Sequence, residues 1–125
     1  MRLRGTMELW MKFTRLYTGS HGQSFFEDLE IPLLEAAIGR LSGPIATNPI
    51  FLGEIDDVNE VNWHNPPCPQ YVIMLKGAME IEIGDGTRRI FREGDIVLAE
   101  DTTGQGHITR AASTGKREYL VIPLA

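Results

Sequence analysis

Residues 63–107 read WHNPPCPQYVIMLKGAMEIEIGDGTRRIFREGDIVLAEDTTGQGH. Proline cannot donate to a β-ladder, so Asn65–Pro69 must be a loop or an edge. Gln70–Leu75 follows as a strand that is apolar on both faces. A strand in a two-sheet fold shows one polar face unless something covers it, and a second subunit is the simplest cover. Met79, Ile81 and Ile83 alternate with Glu80 and Glu82, the pattern of a half-buried strand. Asp85-Gly86 is a hairpin signal, because both central residues of such a turn favour positive φ. Thr87–Arg92 returns, Glu93-Gly94-Asp95 turns again, and Ile96–Ala99 is another strand. Thr102–Gly106 is a glycine-containing loop. One histidine stands at each end of this stretch. A sheet that folds back on itself would bring His64 and His107 into one hollow.

The same pattern extends outward. Leu9, Met11 and Phe13 alternate with Trp10, Lys12 and Thr14, which predicts a strand running on through Tyr17. Met1–Thr6 has no pattern and reads as a loose arm. Thr18–Gln23 is a turn cluster. Phe25–Ile31 is a second strand, with Glu27, Asp28 and Glu30 on a solvated face. Pro32–Leu41 alone has helical spacing: Leu34, Ala37, Ile38 and Leu41 share a stripe, Pro32 suits a start and Gly43-Pro44 an end. A short helix is expected there. Ile50–Ile55, Glu60–His64, His107–Ala112 and Glu118–Leu124 complete about nine strands at short spacing. The fold class is therefore all-β, a sandwich or barrel. A jelly-roll β-barrel is favoured because it hides its sheet edges.

The totals agree. A chain of 125 residues with 42% hydrophobic content suits one domain with a real core. Residues 1–20 are expected to form an arm and strand able to exchange into the partner of a homodimer, and 21–125 the barrel. Net charge is -5 and the lysines and arginines never cluster. That argues against nucleic acid, whose binding needs grouped positive charge, and against an anionic membrane surface. Cys68 is the single cysteine, so no internal disulfide forms, which fits the cytoplasm. The basic N-terminus lacks the apolar run of a signal peptide, and no run approaches a membrane span. There is no G-x-S-x-G elbow, phosphate loop or C-x-x-C pair.

The central stretch resembles the cupin superfamily, and within it the small bacterial single-domain cupins. The first cupin motif carries a histidine pair, then a glutamate, then a glycine. His64 matches the first histidine, Gln70 falls at the glutamate, and Gly77 matches the glycine with six residues between. The second motif opens at a glycine, matched by Gly94, and ends in a histidine, matched by His107. Pro66 stands where the second histidine of the pair would be, and the second motif lacks its usual proline and is slightly longer. The resemblance implies a cupin-like jelly roll, a homodimer and a small-molecule ligand. It implies oxygenase, isomerase or decarboxylase chemistry on a small organic compound, with iron, manganese, nickel or zinc on His64, Gln70 and His107.

Two readings of this site stand side by side. Three donors and a water would leave an open position for metal chemistry. In a metal-free cavity, the histidines would instead hydrogen-bond a ligand or each other. One of them would then serve as a general base near neutral pH, or the cavity would only bind or sense its ligand. Glu100 or Asp101 would supply a carboxylate if either reaches the site. Val72 and Met74 share a face with Gln70 and are expected to line the cavity, as Thr109 does beside His107. Ordinary core packing explains Val72 and Met74 equally well. Trp63 is expected to face away from His64 as a buried packing aromatic. Cys68 reads as a bystander thiol and His21 as an exposed turn residue. Thr102 and Thr103 read as loop residues held by local hydrogen bonds.

Overall fold

A computed structural model describes residues 10–125. The expected arm Met1–Thr6 lies outside them, as does Leu9. Twelve strands follow in order: β1 (Trp10–Thr18), β2 (Ser24–Pro32), β3 (Leu34–Glu35), β4 (Arg40–Leu41), β5 (Phe51–Ile55) and β6 (Val61–His64) come first. Then come β7 (Gln70–Lys76), β8 (Met79–Glu82), β9 (Arg88–Phe91), β10 (Ile96–Glu100), β11 (His107–Ala111) and β12 (Arg117–Pro123). Six strands form one sheet in the order β2-β1-β10-β7-β12-β5, and four form a second, β6-β11-β8-β9. The chain is all-β. The two sheets share no strand ladder, so closure into a jelly-roll barrel is not part of what the hydrogen bonding shows.

The sheets meet through their inner faces. Leu16, Met74 and Val97 of the larger sheet pack with Met79, Ile81 and Phe91 of the smaller, all nearly inaccessible to solvent. The alternation that marked these segments as strands is the reason: every second side chain points into the same apolar layer. Burying each such side chain stabilises by roughly 1.5–3 kcal/mol relative to leaving it in water. On the outer side of the smaller sheet, Arg110 bridges Glu60 and Glu82. The pair with Glu60 is exposed and adds little to stability, while that with Glu82 is partly buried.

Two expectations change. Residues 32–41 form no helix: Pro32 ends β2, and β3 pairs with β4 around a turn closed by Ala36 N–H to Gly39 O at 2.9 Å. The predicted stripe has nothing to pack on, for Leu34, Ile38 and Leu41 are 67%, 90% and 62% exposed. A short helix without a buried face has no source of stability in water. The Asp85-Gly86 hairpin forms, but its turn is longer than a two-residue one. Ile83 N–H donates to Thr87 O, Thr87 N–H donates to the Asp85 carboxylate, and among the described residues here only Gly86 has positive φ.

The outer face of β7 is apolar, as its sequence indicates. Tyr71 and Ile73 do face outward, where with Phe13 and Ile122 they line a groove of about 280 Å³. Part of its wall is the chain's own segment around Leu41 and Ile45. The N-terminal strand β1 pairs antiparallel with β2 and parallel with β10 of the same chain.

Candidate functional site

His64 ends β6 and His107 begins β11. The two strands pair antiparallel with these residues directly opposite each other. Cross-strand partners project to the same side of a sheet, so the rings meet, their centroids 4.4 Å apart and their planes at 57°. Both line a cavity of about 210 Å³ between the sheets.

His107 is almost fully buried, and its Nδ1 lies 2.7 Å from Oδ2 of Asp101. The Ser24 hydroxyl donates to the same oxygen at 2.8 Å. Asp101 is 0% exposed, and its Oδ1 has no hydrogen-bond partner among the described residues. A carboxylate accepting from Nδ1–H holds the imidazole in one tautomer, with Nε2 left as the lone-pair atom. His64 commits its Nδ1 to Asn62 O at 2.8 Å. Its side-chain pKa is held below the ordinary imidazole range, chiefly because burial disfavours the charged form. The backbone carbonyl of Asn62 opposes that shift and the neighbouring His107 adds to it.

A pH dependence follows with a definite sign. Unfolded His64 takes up a proton near pH 6.5, whereas the folded side chain resists until lower pH. The unfolded state therefore binds more protons in that window, and stability rises with pH across it. Urea midpoints between about pH 5 and 8 are expected to fall as the pH drops below about 6.5, and His64→Phe is expected to flatten that slope. A midpoint in the wild type that rises toward acid would contradict this.

The loop before His107 is pinned from two sides. Asn65 Nδ2 donates to Asp101 O and Thr103 O at 2.8 and 3.1 Å, and Gln105 N–H donates to Gly22 O at 2.9 Å. These bonds hold Asp101 beneath His107.

The structure brings His64, Gln70 and His107 to the lining of one cavity, the histidines with Thr109 from the smaller sheet and Gln70 with Val72 and Met74 from the larger. Pro66, where the resemblance would place a second histidine, is buried and lines the same space. Glu100 points elsewhere and pairs with Arg15 at 2.6 Å. Trp63 does not line the cavity, but neither is it buried: on the edge strand β6 it is 38% exposed. Cys68 Sγ lies 4.0 Å from Gln70 Oε1, and His21 is exposed. Glu27 and Asp28 are taken up by Arg15 and Arg89. Ser24 and Arg117 were not legible as site residues. Asp101 had a usable signal: Val97, Ala99 and Asp101 alternate, and the first two line the cavity.

The donors can be set against the divalent metal that the cupin resemblance implies. They are two imidazoles and one amide oxygen, with no carboxylate among them. Among the described residues the one buried carboxylate, Asp101, is spent on His107 Nδ1. Among the described residues, no three His, Cys, Asp or Glu side chains are grouped to hold a metal ion. Such a set does not fit a tightly held four-ligand centre.

No family model matches the chain, and no curated protein matches it. Solved structures do. A conserved protein of unknown function from Streptococcus pyogenes is 22% identical, with a TM-score of 0.46 over 61% of this chain. This chain spans 64% of that protein's length. A protein from Neisseria meningitidis is 14% identical, with a TM-score of 0.48 over 100% of both chains. An ethanolamine utilization protein Q from Salmonella typhimurium LT2 is 12% identical, with a TM-score of 0.34 over 93% of this chain and 98% of its own. At such scores the likeness says nothing of a ligand or a reaction. No helix among the described residues is long and apolar enough to cross a membrane.

Proposed function

We propose that this chain is a cupin-type protein that binds a small organic molecule between its sheets and moves a proton on it, with His107 Nε2 as general base. The observation that carries this reading is the buried chain from Ser24 through Asp101 to His107. A buried carboxylate costs several kcal/mol in desolvation unless it is well bonded. Here its bonds orient one imidazole whose ring borders a cavity. A base so oriented takes a proton from an acidic C–H of the ligand and returns it, as in isomerisation. At about 30 Å³ per water, the cavity holds the equivalent of about seven waters, so the ligand is small.

The test is a ligand screen by thermal shift, followed by NMR of each hit in D2O. Deuterium is expected to enter the ligand with wild-type protein and not with His107→Gln. A hit that binds and never exchanges would replace this reading with that of a binding or sensing module.

A second reading is a metal-bound form, with iron, manganese, nickel or zinc on His64, His107 and Gln70. One observation favours it: both imidazoles give Nδ1 to an oxygen, as metal-binding histidines do. Elemental analysis of protein purified without a chelating tag decides it, a stoichiometric metal lost in His64→Ala/His107→Ala being its support.

We also propose a homodimer, in which a second copy covers the exposed apolar side chains Leu34, Ile38, Leu41 and Leu52. Residues 1–20 would be the segment to exchange. Light scattering after size exclusion tests this, a monomer at micromolar concentration speaking against it. The single cysteine suits a cytoplasmic setting, with no nucleic-acid or membrane partner.

A further inference from the structure

Arg117 opens β12, the strand whose inward positions continue through Tyr119 and Val121 along the cavity wall. It is 2% exposed, lines the cavity, and makes no ion pair among the described residues. One terminal nitrogen donates to Arg110 O and the other to Asn59 O, each at 3.2 Å, and Nε is buried without a partner. Besides the Tyr119 phenol, the acid that acts on it is Asp57, which is exposed and whose carboxylate is bonded to Gly115 N–H. A guanidinium carries five donors and stays charged in proteins. Two carbonyl dipoles satisfy part of that demand and leave a buried positive charge without a counter-ion among the described residues.

Position along the sheet adds to this. Arg117 is bonded to the backbone of Arg110 on β11, three residues from His107, or roughly 10 Å at the ordinary strand rise of ~3.4 Å per residue. The cavity thus has an imidazole pair toward one end and an unpaired cation toward the other.

We propose that the cavity selects a small carboxylate, whose anionic head is bound by Arg117 and whose remainder extends toward the histidines. This names the ligand class for the site proposed above and rests on that reading of the cavity. A carboxylate fits a guanidinium through paired charge-assisted hydrogen bonds, and its neutral amide does not. Arg117 is then the group that sets specificity, and the base works on whatever Arg117 has positioned.

The experiment uses full-length protein and a panel of short probes: propionate, pyruvate, lactate and succinate, each against its amide. Calorimetry and thermal shift are read at constant ionic strength. Wild-type protein is expected to bind at least one acid saturably and at least about tenfold more tightly than its amide. Arg117→Gln is expected to lose that preference while keeping its circular dichroism, and Arg117→Lys to recover part of it. If Arg117→Gln does not fold, the acid-to-amide ratio in wild type and in Arg117→Lys still decides. Equal binding of acid and amide by the wild type would overturn the proposal and reduce Arg117 to a plug that ties β11 and the Asn59 loop together. In that case deuterium exchange lost in His107→Gln would leave the proton-transfer reading standing. Binding of no probe, acid or amide, would count against both.

Discussion

Alanine at position 106 is expected to destabilise the fold by about 3 kcal/mol or more and to lower the melting temperature by more than about 10 °C. Gly106 precedes His107 with φ at +75°, a conformation that costs an L-residue roughly 1–2 kcal/mol. A Cβ there would also overlap the carbonyl group of His64. That obstacle is backbone, held in register by the β6–β11 pairing, and has no rotamer to yield. Relief requires moving β6 away from β11, which separates the two imidazoles. Gly94→Ala is the internal control: its φ is +89°, but an added Cβ meets nothing within 4 Å. It is expected to show the conformational cost alone, about 1 kcal/mol. Urea denaturation of both variants, read at constant m-value, isolates the clash as the difference. Equal effects in the two would mean that β6 and β11 approach less closely than described.

Asp101→Ala is expected to cost about 2–5 kcal/mol. Its carboxylate is fully buried, and its removal leaves the Ser24 hydroxyl and His107 Nδ1–H without their shared acceptor. Each stranded donor carries a desolvation penalty of about 1–3 kcal/mol. Asp101→Asn keeps the shape and one acceptor, so its loss of stability is expected to be smaller. Its effect on ligand exchange is expected to be large, because an amide that donates to Nδ1 turns the imidazole to the tautomer with Nε2 protonated, and such a ring accepts no proton. The two variants thus separate what Asp101 does for folding from what it does for His107. Equilibrium unfolding measures the first and deuterium incorporation the second. Asp101→Asn that exchanges at the wild-type rate would remove Asp101 from the mechanism.

The strands of the central stretch were legible because period-2 alternation has one cheap explanation. Met79 and Ile81 bury while Glu80 and Glu82 stay partly solvated, as their order demands. The same parity put Val72 and Met74 beside Gln70. Residues 32–41 misled for a related reason. Their spacing matches a helix, but spacing alone does not supply a surface to bury the stripe against, and Gly39 turns the chain into a hairpin instead. Trp63 misled because strand parity says which way a side chain points and nothing of what lies there.

From the order of residues alone came the all-β class, the turns, and the pairing of His64 with His107 as a thing worth looking for. Alternation and turn chemistry are local, and a chain carries them wherever it goes. Only the folded arrangement chose Asp101 over Glu100, drew Ser24 from a distant strand onto the same oxygen, and left Arg117 inside with no anion beside it among the described residues. Those facts depend on distances between segments remote in sequence, which sheet register decides and local propensity does not.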